Sequence, residues 1–317
     1  MNATEAAATC ADVFAEIETA VIGERRLFET ILTAVVGRGH VLLEDVPGTG
    51  KTLTASALAT ALDLEFTRIQ FTPDLLPADI TGTHVYDEHA GEFEFEPGPI
   101  FANVVLADEI NRAPPKTQAA LLEAMGEKQV SVGGETLPLP EPFFVVATQN
   151  PVEQEGTFPL PEAQVDRFMI KTTMGYPDRD GELELLDRRA DRNSRTPAVE
   201  SVVDRESVLA LQEVPETVLV EPEIREYLVD VCRATREDER VAVGVSPRGL
   251  QRLFEASRAR AVIAGRDYVA PEDVRAVVHS VLSHRLVLTT EADVRGVDPR
   301  GVIDAVLDGI PVPSMAD

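Results

Sequence analysis

A glycine-containing stretch, EDVPGTGKTLTA at 44–55, has the residue types needed to bind phosphate. It follows an apolar run and precedes a helix-like segment, which is the context of a phosphate-binding loop written G-x-x-x-x-G-K-[ST]. Gly48 and Gly50 allow a tight turn whose backbone N–H groups, with the N-terminus of the next helix, bind an anion. Lys51 is placed to reach the β- and γ-phosphates, and Thr52 is placed to hold Mg²⁺.

One position of this stretch departs from the general pattern, because Asp45 stands where the first glycine is expected. Position 45 lies at the exit of the predicted strand, before the turn, so an aspartate there removes none of the groups that wrap phosphate. A proline at position 47 stiffens the start of the turn. We therefore predict that nucleotide is bound by Pro47, Gly48, Thr49, Gly50, Lys51, Thr52 and Leu53.

Two other apolar runs end in polar side chains. NVVLADEINRA places Asp108 and Glu109 at a strand end, where a carboxylate beside a phosphate-binding loop holds the shell of a magnesium ion. This predicts Asp108, with Thr52, as the metal ligands and Glu109 as the general base that polarises water. FFVVATQNP places Asn150 where its amide can bond the γ-phosphate or that water. Taken singly, these patterns also fit a solvated strand end and a turn asparagine.

Two arginines could spread the charge of a transferring phosphoryl group, a role suited to a guanidinium. Arg167 in PEAQVDRF precedes the last predicted strand, and Arg248 in GVSPRGL lies at a helix start. With 25 arginines in the chain, either alone would more simply be a surface ion pair. Their positions relative to the other motifs favour a catalytic role.

The first half of the chain alternates strand-like and helix-like segments, which predicts an α/β doubly wound domain. Its apolar-rich runs suit a five-stranded parallel sheet covered on both faces. The predicted strands are HVLLEDV (40–46), EFTRIQF (65–71), NVVLAD (103–108), FFVVAT (143–148) and RFMIKT (167–172).

Two β-hairpins are predicted within this domain, at 83–97 and at 129–139, each with glycine at its turn. After residues 176–180 the pattern becomes helical to the end of the chain, and Ser246 is placed to cap one of these helices. We predict an α/β nucleotide-binding domain at 1–175 and a helical domain at 176–317.

Several long motifs occur in the order found in one family. The segments GHVLLEDVPGTGKT, LADEINRAPPKTQAALLEAM, VVATQNPVEQEGTFPLPEAQVDRF and VSPRGLQRL resemble the MoxR family of AAA+ ATPases over roughly residues 20–285. The resemblance implies a P-loop strand at the centre of the sheet, a hairpin inserted in helix 2, another before the sensor strand, and a helical lid. Aspartate at position 45 is usual in this family.

The resemblance also implies roles for individual residues. It identifies Asn150 as sensor 1, Arg167 as the arginine finger and Arg248 as sensor 2 of the lid. Ile22 and Gly23 match a segment that packs near adenine, while the role of Arg112 is left open. The resemblance further implies ATP and Mg²⁺ as cofactors, a hexameric ring, a protein client and a partner with a von Willebrand factor A domain.

Composition restricts the cellular setting. The chain has 55 acidic and 29 basic residues, a net charge of −26, and only four lysines. Such acid-rich, lysine-poor surfaces resemble those of halophilic archaeal proteins, and concentrated salt would screen their self-repulsion. The charge argues against general nucleic-acid binding. No run is long enough for a membrane span, and the N-terminus does not fit a signal peptide. Cys10 and Cys232 match no metal or redox spacing, and idle thiols fit a reducing cytoplasm.

Chaperone-like remodelling driven by ATP is the function that this reading favours. A DNA-translocating motor would share the hairpins, but the segment 83–97 carries five acids and neither lysine nor arginine. A nucleotide-gated binding module with little turnover is the other alternative. Glu109, Asn150 and Arg167 speak against it, since a module that does not hydrolyse ATP needs none of them.

Overall fold

A computed structural model, which describes residues 1–89, 91–151, 156–194 and 196–313, contains a five-stranded parallel sheet and three two-stranded sheets. The strands are β1 (Val41–Glu44), β2 (Phe66–Gln70), β3 (Gly82–Asp87), β4 (Glu92–Pro97), β5 (Val104–Asp108), β6 (Gln129–Val132), β7 (Glu135–Pro138), β8 (Phe144–Gln149), β9 (Ile170–Thr172), β10 (Val241–Val243) and β11 (Val287–Leu288).

The five-stranded sheet has the order β2-β5-β8-β1-β9, and all its neighbouring strands are parallel. Every residue of β5 is buried, as expected for a strand covered on both faces. The strand before the phosphate loop, β1, lies second from one edge, so the expectation that it would be central is wrong. The central strand is β8, which separates β1 from β5.

Thirteen α-helices are found in the described residues. They are α1 (Ala3–Ala20), α2 (Arg25–Val36), α3 (Lys51–Ala61), α4 (Pro77–Thr81), α5 (Pro115–Glu127), α6 (Glu162–Val165), α7 (Arg179–Asp191), α8 (Arg205–Glu213), α9 (Pro222–Glu237), α10 (Pro247–Ile263), α11 (Pro271–Leu282), α12 (Thr290–Val294) and α13 (Pro299–Gly309). None of the helices so described is long and apolar enough to cross a membrane.

Both predicted hairpins are confirmed. β3 pairs with β4 in antiparallel register, with Tyr86 opposite Phe93, and the two rings lie 5.2 Å apart. β6 pairs with β7 around Gly133 and Gly134, whose φ angles are +62° and +88°. Left-handed backbone of this kind favours glycine, which explains the Gly-Gly turn.

The C-terminal region is mainly helical, and Ser246 caps α10 by accepting a hydrogen bond from the N–H of Gly249. The expectation of helix alone is wrong in one detail, because β10 and β11 form a small antiparallel sheet. These runs of two and three residues are too short for periodicity to reveal them. Their pairing joins positions more than forty residues apart in the chain.

The N-terminal helices connect the two regions. α1 contacts both α3 of the α/β region and α10 of the helical region, and α2 also contacts α10. One cluster of buried apolar residues therefore continues from the sheet into the helical region, and includes Phe14, Leu58 and Leu253. A boundary near residue 175 stays a prediction.

Candidate nucleotide-binding site

The phosphate loop connects β1, which ends at Glu44, to α3, which begins at Lys51. Gly48 and Gly50 have φ angles of +88° and +92°, a conformation that side-chain-bearing residues rarely adopt. A Cβ atom at Gly48 would meet nothing within 4 Å, so the backbone conformation and not crowding accounts for this glycine. The sequence-predicted loop is thus a strand–turn–helix structure.

Lys51 Nζ donates to the carbonyl oxygens of Asp45, at 2.8 Å, and Val46, at 3.1 Å. An ammonium group has three donors, so one more remains for a phosphate oxygen. The first bond inside α3 joins the N–H of Thr54 to the carbonyl of Gly50. The N–H groups before Thr54 lie at the free N-terminus of the helix, where an anion is favoured.

Asp45 is buried at the start of the loop, and its carboxylate accepts three backbone hydrogen bonds. Oδ1 accepts from the N–H of Val46 at 2.8 Å. Oδ2 accepts from Met174 at 2.8 Å and from Gly175 at 2.7 Å. The position that departs from the general loop pattern therefore joins the loop to the segment that follows β9.

A cavity of about 650 Å³ lies beside the loop, within the usual size range of small-molecule sites. Gly48, Thr49, Gly50 and Leu53 line one side of it, and Ile22 lines another. These five residues include four of the predicted loop positions and one of the two predicted adenine contacts. The other predicted adenine contact, at position 23, is not among the lining residues.

Residues of α7 line a third side of this cavity. Leu185 and Arg188 of α7 belong to its lining, and Arg188 donates to the carbonyl oxygens of Glu18 and Thr19 at the end of α1. The cavity is thus bounded by the phosphate loop, the end of α1 and the first helix of the helical region. Gly23 instead lies against the ring of Phe28, 3.1 Å from where its Cβ would stand.

The predicted metal carboxylate, Asp108, lies at the end of β5 and is buried. Its Oδ1 accepts a hydrogen bond of 2.6 Å from the hydroxyl of Thr148 on β8. Its Oδ2 accepts from Arg68 on β2, at 2.5 Å from Nη2 and 3.1 Å from Nε. Neighbouring strands on both sides therefore fix this carboxylate.

The predicted base, Glu109, has a left-handed backbone with φ of +57°. Its N–H donates to Thr148, and its Oε2 accepts from the side-chain amide of Gln70 at 2.8 Å. Oε2 also lies 3.3 Å from Nε of Arg112, the residue whose role the sequence left open. The carboxylate is held in place beside β2, at the same edge of the sheet as Asp108.

Asn150 directly follows β8 and is buried. Gln149, the last residue of β8, pairs in register with Glu44, the last residue of β1. The parallel register therefore brings Asn150 and the start of the phosphate loop to the same edge of the sheet, where Asp108 and Glu109 also lie. This is the carboxyl edge at which open α/β sheets bind ligands.

The structure does not bring Arg167 to the phosphate-loop cavity. Its Nη1 donates to the carbonyl of Leu122 at 2.5 Å, and it lines a separate cavity of about 510 Å³ with residues such as Glu123 and Glu127. The predicted strand 167–172 is also too long, since β9 begins only at Ile170. Residues 166 and 167 instead form a turn, after which the N–H of Arg167 bonds to the carbonyl of Gln164 and that of Phe168 bonds to the carbonyl of Val165.

A buried arginine that the sequence did not single out, Arg285, is hydrogen-bonded to this turn and to the two residues after it. Arg285 donates to the carboxylate of Asp166 at 2.7 Å, to the carbonyl of Phe168 at 2.7 Å and to that of Met169 at 3.3 Å. Burial lowers its pKa from 12.5 to about 10. Arg248, the predicted sensor 2, is half-exposed with Nε 3.9 Å from the same Asp166 carboxylate.

The sequence carries partial signals for Arg68, Gln70 and Arg285. Arg68 and Gln70 alternate with apolar Ile69 along β2, which places both on one face of an edge strand. His284 and Arg285 lie within the otherwise apolar run SVLSHRLVL. A charged side chain in such a run is buried only if a hydrogen-bonded partner of opposite charge or a set of acceptors lies next to it. Neither signal names the partner.

The residues present suit Mg²⁺, a hard cation that takes oxygen ligands and keeps several of its waters. Thr52, in the first turn of α3, offers a hydroxyl, and Asp108 offers a carboxylate. Because both oxygens of Asp108 already accept hydrogen bonds, this carboxylate is suited to bond the water shell of an ion.

Comparison with known proteins gives a consistent result. Residues 40–170 match the model of the ATPase family associated with various cellular activities (AAA), and residues 233–306 match the AAA lid domain. Chaperone MoxR1 of Mycobacterium tuberculosis is 44% identical over 95% of this chain and 81% of its own length. YeaC of Bacillus subtilis is 46% identical over 94% of this chain and 92% of its own.

Two further relatives agree. Protein MoxR of Methylorubrum extorquens is 34% identical over 94% of this chain and 93% of its own. A crystal structure from Cytophaga hutchinsonii, named a "putative ATPase", superposes with a TM-score of 0.91 at 41% identity, covering 98% of this chain and 97% of that one. With its five-stranded parallel sheet and C-terminal AAA lid, the chain belongs to the MoxR family of AAA+ ATPases.

Proposed function

We propose that the protein binds ATP with Mg²⁺ and hydrolyses it to ADP and phosphate. The observation that carries the proposal is the convergence of Asp108, Glu109 and Asn150 with the phosphate loop at one edge of the sheet. Two carboxylates and an amide beside an anion-binding loop are the groups that phosphoryl transfer to water requires. The family supports the nucleotide, and the absence of an Asn-Lys-x-Asp motif in the sequence supports adenine over guanine.

Each residue then has a defined task. The loop N–H groups and Lys51 would hold the phosphates. Thr52 and Asp108 would hold Mg²⁺, whose positive charge would offset that of the phosphates when it is bound. Glu109, oriented by its bond to Gln70, accepts a proton from the attacking water. Asn150 orients the water or the γ-phosphate without adding charge.

The active unit proposed is a ring, with six subunits as its expected size. Arg167 lines a cavity that shares no lining residue with the cavity beside the phosphate loop. This separation supports the proposal that its guanidinium acts on the nucleotide of a neighbouring subunit. An arginine finger is worth about 10³–10⁵ in rate. Arg248, at the start of α10, would contact the bound nucleotide from the lid as sensor 2, so that ATP binding closes the lid.

The biological role proposed is chaperone-like remodelling of a protein client, in the cytoplasm, together with a partner that has a von Willebrand factor A domain. The relative named Chaperone MoxR1 supports the chaperone role. The β3–β4 hairpin exposes Tyr86 and Phe93 and carries no lysine or arginine in its described residues, which suits contact with protein better than with DNA. A halophilic setting is proposed from the charge of −26.

The test of hydrolysis compares the wild type with Glu109→Gln and Lys51→Ala in molar KCl. We expect the wild type to release phosphate from ATP. Glu109→Gln should retain ATP binding while turnover falls by about 10²–10⁴-fold, and Lys51→Ala should lose binding. A wild type that binds ATP without turnover would instead favour the nucleotide-gated module.

A further inference from the structure

Asp45 has more hydrogen-bond partners than a residue at a strand exit requires. Its N–H continues the sheet by donating to the carbonyl of Gln149 at 3.0 Å. Its carbonyl accepts from Lys51, and its carboxylate accepts from Val46 and from the pair of N–H groups at Met174 and Gly175. One residue thus contacts the sheet, the phosphate-binding lysine and the segment after β9.

The segment after β9 connects the sheet to the helical region, predicted above as the lid at 176–317. Residues 173–178 form neither helix nor strand, and α7 of the lid begins at Arg179. Gly175 within it has a φ of +70°, so the chain turns there in a conformation suited to glycine. The two N–H groups that donate to Asp45 are therefore part of this connection, residues 173–178, called the hinge segment below.

The hinge segment contacts the phosphate loop at its other end as well. The sulfur of Met174 lies 3.9 Å from the hydroxyl of Thr54, and its methyl lies 3.8 Å from where a Cβ of Gly50 would stand. Met174 therefore contacts both ends of the loop. Its N–H donates to Asp45 at the start of the loop, and its side chain lies against Gly50 and Thr54 where the loop enters α3. A change in the shape of the loop would therefore alter the contacts of Met174.

Lys51 connects these contacts to the nucleotide. The ammonium that reaches the phosphates is bonded to the main chain of Asp45, the residue whose side chain holds the hinge segment. When a phosphate oxygen accepts a hydrogen bond from the remaining donor of Lys51, the ammonium shifts and its hydrogen bond to this carbonyl changes in length. A displacement of the Asp45 backbone would then move its carboxylate. Because that carboxylate accepts hydrogen bonds from three backbone N–H groups, the displacement would reach the hinge segment.

We propose that Asp45 is a positioning residue that couples the phosphate loop to the lid, so that nucleotide binding in the loop sets the lid position. The glycine of the general loop pattern would leave the N–H groups of Met174 and Gly175 without this acceptor. The inference rests on the proposed function only in that the loop binds nucleotide; it does not require hydrolysis.

The test measures lid position directly, by energy transfer between dyes on cysteines introduced at two exposed positions, Glu65 before β2 and Glu226 on α9. Native Cys10 and Cys232 do not compete for label, because burial raises the pKa of each thiol to about 12. Asp45→Gly and Asp45→Asn are compared with the wild type, with and without a non-hydrolysable ATP analogue and Mg²⁺.

We expect the analogue to shift energy transfer in the wild type. Asp45→Gly should bind the analogue with a dissociation constant within about threefold of that of the wild type. A threefold change is well below the tenfold change that corresponds to 1.4 kcal/mol of binding free energy. The shift of Asp45→Gly should be lost, and its kcat should fall by about 10²-fold, a loss typical of a slightly misplaced site. Asp45→Asn keeps one acceptor oxygen and should retain part of the shift.

Asp204→Asn is the matched control, because this carboxylate also accepts a backbone N–H, that of Ser207, but at the start of α8. It should show the full shift. A full shift in Asp45→Gly overturns the inference, as does loss of analogue binding together with the shift. If Asp45→Gly does not fold, a full shift in Asp45→Asn overturns it. A wild type that binds the analogue and moves its lid but does not hydrolyse ATP contradicts only the proposed function.

Discussion

Arg285 of the lid donates from Nε to the carboxylate of Asp166 at 2.7 Å, and Asp166 immediately precedes Arg167, the proposed arginine finger. The Arg285 side chain is 2% exposed. Its other donors reach carbonyl groups of the same turn, so the lid and the segment bearing Arg167 are held as one unit. The position of the lid and the position of Arg167 are therefore linked within a subunit.

Arg285→Lys should destabilise the protein and slow turnover. A lysine keeps the charge but cannot reach several acceptors at once, and breaking a buried pair costs up to about 3–5 kcal/mol. We expect the free energy of unfolding to fall by about 2 kcal/mol and kcat to fall with little change in ATP affinity. Denaturant unfolding and steady-state kinetics measure the two effects. Arg295→Lys, in an exposed pair with Glu291, is the control and should match the wild type.

Arg68→Gln should lower the Mg²⁺ concentration needed for half-maximal turnover. Its guanidinium neutralises Asp108, so its removal leaves more negative charge beside the metal position. A partly exposed pair is worth about 0.2–1 kcal/mol, which corresponds to at most about a fivefold change. A Mg²⁺ titration of turnover measures it, with Arg295→Gln in the lid as control. A higher Mg²⁺ requirement in Arg68→Gln would show that Arg68 assists the metal site.

Potassium chloride should raise the melting temperature. The net charge of −26 repels itself, and the screening length shortens from about 8 Å at 0.15 M to about 3 Å at 1 M salt. Replacing the exposed Glu92, Glu94 and Glu96 by glutamine removes three charges and should reduce the salt dependence. Thermal melts across a KCl series test this, and a melting temperature that falls with added KCl would refute it.

Acid should destabilise the fold through buried histidines. Burial lowers the pKa of His40 from 6.5 to about 4, and burial also lowers the pKa of His284 well below its usual value. The unfolded chain therefore binds these protons first as the pH falls. Above pH 6.5 the neutral His40 should contribute up to about 3 kcal/mol to the free energy of unfolding. This contribution should be lost progressively as the pH falls from 6.5 to 4.

Unfolding free energies measured from pH 7 to pH 4 check this prediction. His40→Gln should flatten the pH dependence in this window, whereas His89→Gln, on the exposed turn of the first hairpin, should leave it unchanged. An equally steep dependence in His40→Gln would assign the effect to other groups.

The residues that could be predicted from the sequence are those whose chemical role follows from the strand or loop in which they stand. Gly48, Lys51, Asp108 and Asn150 each lie within a few residues of a strand end, and parallel strands bring such ends to one edge. The partners Arg68 and Arg285 were not predicted, because their roles depend on contacts with residues 40 and 119 positions away. The bonds of Asp45 to the hinge segment, 129 residues on, were hidden for the same reason.

The assignment of Arg167 to a neighbour's nucleotide is the central claim about mechanism, and a mixing experiment tests it most directly. Lys51→Ala subunits should lack bound ATP, and Arg167→Ala subunits should bind ATP without turning it over. In a randomly mixed ring, about a quarter of the interfaces join an intact loop to an intact finger on the adjacent subunit. We predict that each variant alone is inactive and that the mixture hydrolyses ATP. An inactive mixture of correctly assembled rings, or substantial turnover by Arg167→Ala alone, would contradict the account.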